Sequence, residues 1–88
     1  MPRMVITHEV VDIERWLTGK AERAAALGTV GSDVTDHVAL DGSNRIAVTA
    51  VIHDLAAVQA LLDSPPPEVA AQMEAHGVLP PLIVYIEK

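Results

Sequence analysis

The segment Met4 to Trp16, reading MVITHEVVDIERW, constrains this chain more than any other because its period changes half-way. Met4, Ile6, His8 and Val10 fall on one side of an extended backbone, and Val5, Thr7 and Glu9 on the other. The β-branched content suits a strand. Asp12 then supplies a helix N-cap, since its carboxylate can accept from free N–H groups of the first turn. Glu14 suits the positive end of the helix dipole. Ile13, Trp16, Leu17, Lys20, Ala24 and Leu27 recur at helical spacing and predict one helix with one buried stripe, the Lys20 stem lying along it. Glu14, Arg15, Thr18, Glu22 and Arg23 fall on the solvent side. Gly28 is expected to close the helix in the left-handed conformation.

The rest of the chain repeats that strand-then-helix plan, with a hairpin between the copies. After a loop at Thr29–Ser32, Asp33–Leu40 reads as a second strand and Arg45–His53 as a third. Asp41-Gly42-Ser43-Asn44 carries the turn chemistry that joins them. Asp54 caps a helix whose stripe is Leu55, Val58, Leu61 and Leu62. Ser64-Pro65-Pro66-Pro67 must interrupt it, because proline lacks the N–H and clashes with the preceding turn. Proline is tolerated at a helix start, so a second piece is expected from about Pro66 to His76, with Val69 and Met73 inward and Gly77 closing it. Pro80-Pro81 keeps the chain from resuming helix, and Leu82–Glu87 is the last strand.

The order β-α-β-β-α-β with short links and right-handed crossovers predicts an α+β fold. It is the ferredoxin-like split βαβ sandwich: a four-stranded antiparallel sheet, order 4-1-3-2, with both helices on one face. All of residues 1–88 fall in this single domain, which is too small to bury more than a thin core. Ile6, Val10, Val38, Leu40, Ile46, Val48, Ile52, Leu82, Val84 and Ile86 fit the covered face. The other carries Val5, Thr7, Thr35, His37, Ala39, Ala47, Thr49, Val51, Ile83 and Tyr85. A solvated sheet face normally alternates to charged residues, and this one does not. A homodimer through the sheet faces is the expected outcome.

Composition narrows the partners. A net charge of −6 with six scattered Lys and Arg disfavours nucleic acid and an anionic membrane. The absence of cysteine removes disulfides, thiolate chemistry and cysteine zinc sites. No signal-peptide pattern or spanning run is read, so a soluble, cytoplasmic protein is expected. The four histidines lack H-x-H or H-x3-H spacing, and no phosphate loop or nucleotide fingerprint is present, so no metal or cofactor is expected.

Three stretches, HEVVDIERW, DGSNRIAVTAVIHDLAAV and SPPPEVAAQMEAHGV, together resemble the dimeric α/β-barrel superfamily. The resemblance lies near its small antibiotic-biosynthesis-monooxygenase-like and cyclase-like members and spans nearly the whole chain. It implies a fold and a range of activities: cofactor-free oxygenases, polyketide cyclases, haem-degrading enzymes and members without a known reaction. The asparagine and second-helix tryptophan that accompany haem degradation are missing, so haem ranks below acid–base chemistry.

The topology brings His8, Trp16, Leu40, Arg45, His76 and Leu82 to one edge. The resemblance implies a pocket between sheet and helices there, with His8 and His76 as a candidate acid–base pair, since imidazole titrates near neutral pH. Trp16 and Leu40 would wall it, with Arg45 and Leu82 beside them, around a small apolar or aromatic ligand. The plainer roles are a strand-end hydrogen bond for His8, a helix-end charge for His76 and core packing for Trp16. His37 belongs to the proposed dimer face and His53 to the opposite edge. Asp36 is charged in a helix-facing register and needs Arg23 or Lys20 as partner. Two classes remain open: a cofactor-free oxygenase- or cyclase-like enzyme, and a non-catalytic binding or structural dimer.

Overall fold

The computed structural model describes all residues from Met1 to Lys88. Its elements are β1 (Arg3–Val10), α1 (Ile13–Leu17), α2 (Lys20–Leu27), β2 (Gly31–Val38), β3 (Arg45–Ile52), α3 (Leu55–Asp63), α4 (Pro67–Ala75) and β4 (Val78–Ile86). The sheet is four-stranded in the order β2-β3-β1-β4, and all its pairings are antiparallel. This is the expected order.

The covered face holds the core. Met4, Ile6, Val10, Ile46, Val48, Ala50 and Ile52 alternate into it, each at most 5% exposed. Trp16 and Leu27 from the first helical arm and Val58 from the second pack on them. The N-caps at Asp12 and Asp54 form as the sequence predicts, accepting from Arg15 N at 3.3 Å and Ala57 N at 3.1 Å. The prolines divide the second arm into α3 and α4, and Gly77 closes α4 at φ +72°.

Four expectations are corrected. The first arm is two helices, broken at Thr18–Gly19. The break rotates the stripe, so Leu17, Lys20 and Ala24 are exposed while Arg23 turns inward. A Cβ at Gly19 would overlap the His76 ring, so only glycine lets α4's end come this close. Gly28 caps α2 at φ −63° in right-handed geometry. The second strand starts at Gly31 and stops at Val38, which leaves Leu40 in the hairpin loop, fully exposed. Finally, β4 starts at Val78 and runs through Pro80 and Pro81. An edge strand can accept proline because one row of its N–H groups has no ladder partner. The ladder is interrupted there: Thr7 pairs with Ile83 and Glu9 with Leu79, so three β4 residues lie opposite His8 alone.

β2 carries its own bulge between Ser32 and Thr35, where Asp33 takes φ +56°. The extra residue keeps Val34 and Asp36 on the helix side, and Val34 packs against the core.

Candidate functional site

β1 delivers His8 to the covered face two residues beyond Ile6. Its Nδ1 lies 2.9 Å from the Glu9 carbonyl oxygen, which fixes that nitrogen as the donor and leaves Nε2 with a free lone pair. Its pKa lies below the ordinary 6.5, chiefly because burial disfavours the charged ring. The Glu9 hydrogen bond opposes that shift and the Arg23 charge adds to it. His8 is therefore a neutral base at neutral pH.

Trp16 meets the His8 ring edge-on, with centroids 6.3 Å apart and planes at 85°. It is fully buried because Asp12 starts α1 four residues earlier and aims its first inward turn at β1. Arg23, one helix later, lays its guanidinium 4.0 Å from the indole centroid. Its Nη2 and Nε donate to the two Asp36 oxygens at 2.8 and 3.4 Å. This pair answers the question posed by a carboxylate in a helix-facing register, and Lys20 has no part in it.

His76 caps α4 and is 7% exposed. It packs on Gly19, and its Nε2 lies 3.6 Å from Glu22 Oε2. Arg15 holds the end of α4 in place. Its Nε donates to the Ala75 carbonyl at 2.8 Å and its Nη2 to the Glu74 carbonyl at 2.9 Å. These are carbonyls a helix end leaves free. Arg15 was assigned to solvent from the sequence, and it works instead as the tie between the two arms.

Between sheet and helices these residues enclose a cavity of about 110 Å³. His8, Trp16, His76 and Leu82 all line it, with Arg23, Gln72 and Met73. Two expected wall residues do not. Leu40 projects from the hairpin loop into solvent, and Arg45 lies on the opposite face of the sheet, exposed and 3.9 Å from Glu9. Arg45 alternates with the inward Ile46, so its side chain is directed to the other face. Gln72 was missed by sequence reasoning, and Arg23 was read as solvent-facing and named only as a possible partner of Asp36. The signal for Arg23 was the buried-register Asp36, which demanded a cation.

The opposite face has a broad shallow concavity of about 620 Å³, bordered by Thr7, His37, Arg45, Ile83 and Tyr85. His37 Nε2 and Thr49 Oγ1 share a 3.0 Å hydrogen bond across the two strands. His53, at the far edge, pairs with Ser32 Oγ at 3.0 Å. No group of three or more His, Cys, Asp or Glu is arranged to hold a metal ion. No helix is long and apolar enough to cross a membrane.

The fold is ferredoxin-like. A protein from Bordetella bronchiseptica, provisionally described as an antibiotic biosynthesis monooxygenase, superposes with a TM-score of 0.70 at 11% identity, over 99% of this chain and 94% of that one. A Deinococcus radiodurans protein with the same description gives 0.63 at 17% identity, over 100% and 91%. A dimeric protein of unknown function with a ferredoxin-like fold, from Bacteroides fragilis, gives 0.55 at 15% identity, over 96% and 93%. No protein-family model matches the sequence, and no curated protein matches it. At these identities the likeness is one of fold.

Proposed function

We propose that the cavity between sheet and helices binds a small, largely apolar organic molecule, and that His8 acts there as a general base. The observation that carries this reading is His8 itself. It is neutral, its free Nε2 has a defined tautomer, and it lines an apolar cavity that a second histidine also lines. His8 is held by a strand, whereas His76 ends a helix, so His8 removes the proton and His76 orients the substrate or returns it. Proton removal from carbon is a step that cofactor-free oxygenases and cyclases share. The provisional monooxygenase descriptions of proteins with this fold agree with that chemistry.

The volume limits the substrate. An apolar cavity of about 150 Å³ takes a benzene-sized guest. At about 110 Å³ this cavity is smaller than that, so one small ring is the upper limit and enters only as the cavity walls give. The same small volume, walled by Trp16, Met73 and Leu82 among others, favours a second reading, a non-catalytic binding dimer.

The protein functions as a homodimer joined through its open sheet faces. Ile83 and Tyr85 are 48% and 56% exposed on the open face, and a protein of the same fold is described as dimeric. Nucleic acid and membranes remain poor partners for a chain of net charge −6.

Trp16 is the only tryptophan, so its fluorescence reports the cavity directly. A screen of single-ring aromatic and alicyclic ligands should give a saturable change, and His8→Ala should alter it. No response from any ligand, or an identical response in His8→Ala, would remove the assignment. Proton exchange from a bound carbon acid that vanishes in His8→Ala while binding persists separates the catalytic reading from the binding one.

A further inference from the structure

The His8 ring is held from two sides. Its Nδ1 is fixed by the Glu9 carbonyl, and Trp16 meets it edge-on with centroids 6.3 Å apart. Trp16 Nε1 is closed off from solvent and has no hydrogen-bond partner, so contact alone sets the plane of the indole. Val10, Leu27, Ile46 and Val48 pack in the same cluster, and the Arg23 guanidinium lies over the ring at 4.0 Å. Aliphatic neighbours favour no particular tilt, whereas a planar cation over an aromatic face does.

Arg23 is held in turn by one residue. Its Nε and Nη2 donate to the two Asp36 oxygens at 3.4 and 2.8 Å, and its Nη1 has no partner. Such a two-pronged pair fixes both the place and the tilt of a guanidinium. The side chains of Asp36 and Arg23 are 2% and 14% exposed, so water does not loosen the grip. Asp36 reaches this position through the bulge between Ser32 and Thr35, where Asp33 takes φ +56°. Without the extra residue the side chains beyond it would change face, and Asp36 would point to the open side.

We infer that Asp36 and Arg23 are positioning residues for His8, acting through Trp16. This rests on the proposed role of His8 as the base and names the residues that aim it. Asp36 does not line the cavity, so its effect travels through the guanidinium and indole planes. The pair also acts electrically. Burial is the main cause of the lowered His8 pKa, and the Arg23 charge adds to it. Asp36 offsets that charge, which leaves the ring basic enough to take a proton. No other charge competes from the cavity walls: α1, α3, β3 and β4 contribute none, and α4 contributes His76, which lies 3.6 Å from Glu22. Glu9 and Arg45 lie on the far face of the sheet, exposed.

The chain has one tryptophan, so its ring protons are read without overlap, and the His8 resonances are assigned by their loss in His8→Gln. In the ligand-free parent the edge-on contact should give a nuclear Overhauser cross-peak between the two rings. Arg23→Lys keeps the charge and loses the planar fork, while Asp36→Asn keeps the shape and loses the counter-charge. Both variants should stay folded by circular dichroism and lose the cross-peak. In Arg23→Lys the ammonium draws back to Asp36 and the indole slackens over His8, so the His8 titration midpoint should rise toward 6.5. A pair that only stabilises the fold would lower the melting temperature and leave cross-peak and midpoint where they are. A cross-peak that survives in a folded variant overturns the assignment. Should Asp36→Asn fail to fold, Arg23→Lys decides alone. The ligand screen keeps the two readings apart. A parent that binds a single-ring ligand while the cross-peak survives both substitutions retains the cavity and loses the positioning role. A parent that binds none loses both.

Discussion

The two faces of the sheet are built from the same strands and differ in almost everything else. On the covered face Met4, Ile6, Val48, Ala50 and Ile52 are at most 5% exposed. One residue along each strand, Val5, Thr49 and Val51 are only half-buried, and Tyr85 beside Val5 is exposed. The ion pairs differ in the same way. Arg23–Asp36 is short and buried, while Arg45–Glu9 is 3.9 Å long with side chains 78% and 64% exposed. Alternation alone distributes residues between faces, but what each residue is worth depends on what covers the face.

The largest expected effect comes from neighbours on one strand. Ile6→Glu forces an unpaired charge into the core and should leave no cooperative thermal transition, since a domain of this size has only about 5–15 kcal/mol of stability to lose. A folded Ile6→Glu would break the comparison outright.

The ion pairs give the next contrast. Arg23→Met strands Asp36 in the core and should cost roughly 3–5 kcal/mol in urea unfolding. Arg45→Met should cost less than about 1 kcal/mol, because exposed pairs are screened and mobile. Equal losses would mean that the depth of the two sites is misjudged.

Val5→Glu tests what covers the open face. Its cross-strand neighbours are Thr49 and Tyr85. Circular dichroism should show a folded chain, while sedimentation should show a monomer in place of the proposed sheet-face dimer. A dimer that tolerates Val5→Glu has its interface elsewhere.

The smallest effect concerns His8, which borders both the cavity and the concavity of the opposite face. Its pKa is lowered on folding, so the unfolded chain binds the proton more readily. The stability from keeping His8 neutral is present above its unfolded value of 6.5 and is lost as pH falls through and below that value. The melting temperature should therefore fall on that acid side, and His8→Gln should fall less steeply. Parallel curves would show that burial does not perturb His8.

Much of this was legible in the chain. The alternation of Met4–Val10 and Arg45–Ile52, the caps at Asp12 and Asp54, and the break at Ser64–Pro67 are local signals, and each forms as read. The cavity was legible in part. His8, Trp16, His76 and Leu82 reach it because strand and helix ends place them there. Leu40 and Arg45 do not, for two local reasons: the second strand stops short, and one step along a strand reverses the side.

What the sequence determined by itself is whatever one or two turns of chain decide. Period, caps and prolines set the elements, and the order of elements with right-handed crossovers set the sheet. Only the tertiary structure decided the rest, because it depends on contacts between residues far apart in the chain. Gly19 breaks the first arm where His76, 57 positions later, packs against it. Arg23 turns inward because Asp36 waits on a bulged strand. Pro80 and Pro81 stay in a strand because β4 lies at the sheet's edge. A local pattern cannot carry such information, since the free energy that fixes each of these residues resides in a partner the pattern does not contain.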